Sequence, residues 1–181
     1  MTGMQTADSE IKAARAAEKF GVPYTLSTMS ICSIEDVARA TKAPFWFQLY
    51  VMRDEEFVDS IIERARNAGC DALVLTLDLQ ILGQRHKDLK NDLSAPPRLS
   101  LKNVIHIGLP TRCEWALGMP GTPRRTFRNL VGHAKGGGNL GSLLSWTTQQ
   151  FDPQLDRGPF ARTKGKWGGT RCLTGIPDAS H

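Results

Sequence analysis

The feature that most constrains this chain is a change of hydrophobic period, from helix-like to strand-like and back, repeated every ~25 residues through its first two thirds. "SEIKAARAAEKFG" reads as an alanine-rich helix, with Ser9 placed to cap its start and Gly21 to end it. "VPYTLSTMS" is a short strand, and "SIEDVARAT" begins a second helix in which Ser33 and Asp36 have capping-box spacing. "PFWFQLYV" is the next strand. In "RDEEFVDSIIERARNAG" Phe57, Ile61, Ile62 and Ala65 make one apolar stripe, acids lie early and Gly69 sits at the end, as a helix requires. "ALVLTLDLQ" then reads as a strand buried on both faces. Strands and helices in this alternation predict βα units, a parallel sheet and an α/β fold.

The 181 residues suffice for one domain with a real core, and we read 1–181 as a single unit. Hydrophobic residues make up 40% and charged residues 23%, which argues against disorder. No apolar run approaches the ~20 residues that cross a bilayer, and the N-terminus has no signal-peptide pattern, so a cytoplasmic location is expected. The cysteines at 32, 70, 113 and 172 form no C-x-x-C pair, and the histidines lack H-x-x-x-H spacing; reduced thiols and no metal site are expected. The net charge of +5 comes without a nucleic-acid motif or aromatic interleaving, so no nucleic-acid partner is expected.

Polar residues recur where the strands end: Ser27 and Thr28, then Gln48 and Tyr50, then Thr76 and Asp78. Alone, each could be a turn former or helix cap. Parallel βα proteins build their sites at the C-terminal ends of strands, so repetition at the same edge points to a site. Residues 88–141 then lose periodicity in a long basic, Pro- and Gly-rich loop, and 155–181 is a weakened tail. There Gly158, Pro159 and Gly165 lie where a helix is expected, although "RCLTGI" could be a last strand.

At "FWFQLYVMRD", "LVLTLDLQILGQRHKDLKN" and "WALGMPGTPRRTF", with "TLSTMSICSIEDVA" and "SWTTQQFDP" in support, the chain resembles the FMN-dependent 2-hydroxy-acid dehydrogenases and oxidases. Within them it is most similar to the bacterial L-lactate dehydrogenase branch. The resemblance implies a partial (β/α)8 TIM barrel, about its first half with four to five strands, and a long loop after the fourth. It implies FMN as cofactor, with Ser27, Gln48 and Thr76 as flavin contacts. Tyr50 resembles a substrate-contacting catalytic tyrosine, Asp78 the carboxylate that orients a catalytic histidine, and Arg85 an arginine that grips the substrate carboxylate. His86 is not expected to be the base, which the family draws from a later strand. The implied reaction oxidises an L-2-hydroxy acid, L-lactate above all, to the 2-keto acid; a quinone, a cytochrome or oxygen then takes the electrons.

The resemblance also marks departures. The family's first-strand flavin loop, catalytic histidine segment and phosphate site fall outside the sequence, and Thr174 stands where a flavin-contacting lysine is expected. A non-catalytic relic or half barrel is therefore the alternative reading. Exposed strand edges would make such a chain poorly soluble or a homo-oligomer. Residues 98–128 read either as a charged lid or as a peripheral membrane contact on the inner membrane.

Overall fold

The computed structural model describes residues 6–77, 124, 126–131, 143, 146–147, 149–150 and 157–175. Among them lies a four-stranded parallel sheet in which β1 (Thr25–Ser27), β2 (Trp46–Tyr50), β3 (Ala72–Thr76) and β4 (Thr170–Thr174) sit side by side in chain order. Helices α1 (Ser9–Phe20), α2 (Ile34–Ala40) and α3 (Glu55–Asn67) alternate with the first three strands, and α4 (Arg157–Trp167) precedes the last.

The strands separate two environments by their period of two. Leu26, Phe47, Leu49, Leu73 and Leu75 are fully buried, in one core with Val37, Phe57, Ile61 and Ala65 of the helices. The alternate residues Ser27, Trp46, Gln48, Tyr50 and Thr76 are only half-buried. The helix-covered face thus carries the apolar set, and the other face carries the polar strand-end groups. Ala72 and Val74 are the exceptions on that second face, 1% and 7% exposed, so β3 is apolar on both sides up to Thr76.

Local chemistry explains most boundaries. Gly21 adopts a left-handed φ of 68° and donates its N–H to the last turn of α1, the C-cap expected of glycine. The start of α1 differs from the sequence expectation. Ser9 is its first helical residue, and the N-cap is Asp8, at φ 56° and without a side-chain cap bond. The Asp8 carboxylate is instead drawn to Arg124, 2.9 Å away. The capping box of α2 forms as read: Asp36 N–H donates to Ser33 Oγ and Ser33 N–H to Asp36 Oδ2, both at 3.1 Å. Helix α3 is capped by Asp54 Oδ1, which accepts from Phe57 N–H at 2.9 Å.

In the tail, α4 forms despite its two glycines and Pro159. The proline stands in the first helical turn, where a missing N–H costs no intrahelical bond. Ion pairs then tie α4 to α3: Arg162 to Glu55 and to Asp59, the latter at 2.6 Å, and Lys166 to Asp59. Trp167 is buried at the end of α4, and its indole N–H donates to the Thr170 carbonyl at 2.8 Å. The stretch read as a last strand is β4, in register with β3 from Ala72↔Thr170 to Thr76↔Thr174.

Most of the loop 88–141 lies outside the described residues. Its described part is firmly seated: Phe127, Asn129 and Leu130 are fully buried. Further on, Trp146 packs edge-to-face on Phe57 with ring centroids 5.4 Å apart.

Candidate functional site

The sheet register aligns Ser27 with Gln48, and Tyr50 with Thr76 and Thr174. The side chains of Ser27, Gln48, Thr76 and Thr174 form a hydrogen-bonded row toward the C-terminal ends of all four described strands. Ser27 Oγ donates to Gln48 Oε1 at 2.7 Å, and Gln48 Nε2 donates to Thr76 Oγ1 at 2.8 Å. Thr174 Oγ1 closes the row on Thr76 Oγ1 at 3.1 Å. At the other end Met29 N–H donates to Ser27 Oγ at 3.2 Å.

This row fixes what each group can still offer. The Gln48 amide is oriented by both neighbours, and retains one N–H and one lone pair. Thr76 Oγ1 accepts from Gln48 Nε2 and shares one hydrogen bond with the Thr174 hydroxyl, which also lies 3.4 Å from the Leu75 carbonyl. The edge therefore presents a donor and an acceptor on Gln48 beside the Thr76 hydroxyl, all neutral and held in place. Thr28, expected with Ser27 at the strand end, has a different role. Fully buried, it donates from Oγ1 to the Gln48 carbonyl at 2.7 Å and accepts from Tyr50 N–H at 3.3 Å, stitching β1 to β2.

Behind the row, Asn129 holds the loop that leaves β1. Its Oδ1 accepts from Ile34 N–H at 3.0 Å, and its Nδ2 donates to Ser30 Oγ at 3.0 Å and toward the Ser27 and Thr28 carbonyls at 3.5 Å. Arg64 reaches the Asn129 carbonyl at 3.1 Å and forks onto Glu35 at 2.8 and 3.0 Å. The hydrogen bond from Arg64 holds the Glu35 carboxyl down at about 2 despite partial burial. Burial pushes Asp36 upward, but the Ser33 N–H, Arg124 and Arg128 outweigh it and hold that carboxyl at about 2 as well.

The sequence reading missed Asn129 and Arg64. A lone asparagine in a Pro- and Arg-rich stretch carries no local signal, and its contacts lie about 100 residues away in the chain. The structure brings together four of the candidate site residues, Ser27, Gln48, Tyr50 and Thr76. Asp78 and Arg85 lie outside the described residues. Among the described residues no cluster of His, Cys, Asp or Glu could hold a metal ion, and no helix is long and apolar enough to cross a membrane.

The model of the FMN-dependent dehydrogenase family matches residues 1–180. The chain belongs to that family. It is 35% identical to an L-lactate dehydrogenase of Acinetobacter baylyi over 98% of its own length and 46% of the relative's. The identity is 36% to an L-lactate dehydrogenase of Acinetobacter baumannii, with the same coverage. Among solved structures it superposes on the monotopic membrane protein (S)-mandelate dehydrogenase with a TM-score of 0.88 at 28% identity, covering 99% of this chain and 47% of that one. A mandelate oxidase with (S)-4-hydroxymandelic acid gives a TM-score of 0.66 at 28% identity, over 94% and 41%. The chain thus spans about half the length of the relatives it matches. Its sheet is the corresponding arc of their (β/α)8 barrel: parallel strands in chain order, helices outside and the polar row on the inner, C-terminal edge.

Proposed function

We propose that this chain carries the flavin-ring edge of an FMN-dependent 2-hydroxy-acid dehydrogenase, with L-lactate as its substrate. The observation that carries the reading is the oriented row Ser27–Gln48–Thr76. The pyrimidine edge of a flavin alternates carbonyl oxygens with ring nitrogens, and the open donor and acceptor of Gln48 beside the Thr76 hydroxyl match it in kind. FMN, when bound, supplies the two-electron acceptor for the hydroxy acid. Gln48 and Thr76 would hold the ring, and Ser27 keeps the Gln48 amide from flipping. Tyr50, half-buried one register step beyond Gln48, would hydrogen-bond the substrate. Asp78 would orient a histidine and Arg85 would bind the substrate carboxylate. A quinone, a cytochrome or oxygen would reoxidise the flavin. Likeness to a monotopic membrane protein supports a peripheral membrane location for the whole enzyme, with residues 98–128 as the contact.

The test is a titration of the purified chain with FMN, followed by quenching of flavin fluorescence. Gln48→Leu removes both ring-facing groups and should weaken binding at least ~10-fold, the equivalent of ~1.4 kcal/mol. Equal affinity of the variant and the parent would refute the assignment. Turnover of L-lactate with an artificial acceptor, in the same preparation, separates flavin binding from catalysis.

A further inference from the structure

Away from the strand ends, a groove of about 360 Å³ lies between α1 and α2, lined by Lys12, Arg15, Arg39 and Arg124 with Asp8 and Asp36. No strand residue lines it, so it is separate from the polar row on the sheet. Its charges do not cancel. Arg124 pairs with both carboxylates, at 2.9 Å to Asp8 and 3.2 Å to Asp36. Asp36, its side chain 1% exposed, also takes Arg39 at 2.8 Å and Arg128 at 3.3 Å from outside the groove lining. Asp36 is therefore met by three arginines and Asp8 by Arg124, and the groove keeps an excess of two positive charges.

The remaining cationic heads are available. Arg15 uses Nε on the Ala40 carbonyl at 3.0 Å, which fixes the plane of its guanidinium; its two terminal nitrogens make no hydrogen bond among the described residues, and Glu18 is within electrostatic reach. Arg39 gives one nitrogen to Asp36, and its side chain is 71% exposed. The Lys12 ammonium is exposed and has no partner among the described residues. Two guanidinium forks and an ammonium thus face one recess from two helices. Arginine forks match phosphate oxygens in pairs, and a phosphomonoester carries about −1.5 to −2 at neutral pH, close to the excess charge. The volume falls at the lower end of small-ligand sites.

We infer that this groove binds a phosphate-bearing anion, held by Lys12, Arg15 and Arg39. The ligand chemistry is shared by free phosphate compounds and by the headgroups of anionic lipids. This inference does not rest on flavin binding at the sheet edge.

The experiment uses the full chain in two arms. One is calorimetric titration with inorganic pyrophosphate at low salt; the other is co-sedimentation with phosphatidylglycerol vesicles, with phosphatidylcholine vesicles as the uncharged reference. Lys12→Gln should reduce affinity several-fold and Lys12→Gln/Arg15→Gln at least ~10-fold, while Lys19→Gln/Lys164→Gln, an equal loss of charge elsewhere, should not. Binding of pyrophosphate with this pattern supports a soluble ligand, and binding of the anionic vesicles alone with this pattern supports a lipid headgroup. Absence of binding in both arms overturns the inference, and so does equal weakening by the groove and control variants. The Lys12 ammonium makes no hydrogen bond or ion pair among the described residues, and its backbone bond to the Asp8 carbonyl survives substitution, so its variant isolates loss of the site from loss of the fold.

Discussion

Replacing Asn129 by Leu should be among the costliest single changes in the described part of this protein. The side chain is fully buried, and Leu has the same branched heavy-atom skeleton with bulkier methyl ends, so no cavity forms. What is lost is polar. Ile34 N–H, in the first turn of α2, is satisfied at 3.0 Å by Asn129 Oδ1, and buried Ile34 leaves it no route to water. Ser30 Oγ loses a donor at 3.0 Å but keeps its own bond to the Cys32 carbonyl at 2.6 Å, so its loss is the smaller. The contacts to the Ser27 and Thr28 carbonyls are long, at 3.5 Å, and contribute little.

One stranded buried donor costs about 1–3 kcal/mol, and the lost bond to Ser30 about 0.5–1.5 kcal/mol. We expect a total near 3 kcal/mol, a large fraction of the ~5–15 kcal/mol that stabilises a typical domain. Urea unfolding followed by tryptophan fluorescence should show the midpoint falling by ~1–2 M at unchanged slope. Asn129→Asp tests the geometry further. It keeps the acceptor for Ile34 and Arg64 but turns a carboxylate toward the two carbonyls, so it should also destabilise. If Asn129→Leu changed stability by less than ~0.5 kcal/mol, residues 126–131 would not hold the loop after β1 in the way described.

Two further outcomes follow from charges. The Asp36 carboxyl is held at about 2 against an ordinary 3.8, so its contribution is complete above about pH 4 and is lost as pH falls toward 2. Asp36→Asn should therefore flatten the acid limb of the stability profile by about one proton, measured by chemical unfolding across that window; an unchanged slope would refute the assignment. Thr174→Lys places a cation next to Thr76, where the flavin edge is proposed. It should raise the midpoint potential of bound FMN by on the order of 20–40 mV, because a nearby positive charge favours the electron-rich reduced ring by about 1–2 kcal/mol. A potential unmoved in spectroelectrochemical titration would place the flavin away from β4.

The barrel arc was legible because its signals are local. The period change places strands and helices to within a few residues, and Ser33 and Asp36 announce their own capping box. Where the expectation failed, a distant group had intervened. Ser9 has the right chemistry to cap α1, but Asp8 occupies the cap position, its backbone bent into the left-handed region while its carboxylate meets Arg124, 116 residues away in sequence. The weakness expected around Gly158 and Pro159 is real as propensity, yet three ion pairs to α3 and the burial of Trp167 outweigh it. No period or motif encodes such partners.

The site divides along the same line. Ser27 and Thr76 end their strands and Gln48 lies two residues before the end of β2; that pattern marked them as site candidates, and the family resemblance implied their part in flavin binding. Their hydrogen-bond directions were not nameable, since an amide can face either way until its neighbours are placed. It is the direction that gives the row its chemistry: Ser27 donating to Oε1 forces Nε2 toward Thr76, which leaves one amide N–H and one carbonyl lone pair of Gln48 open. Thr174 enters here in a way the sequence could describe only as a missing lysine. At 3.1 Å from Thr76 it extends the neutral row by one hydroxyl, so at the proposed flavin edge position 174 contributes a hydrogen-bonding group and no charge.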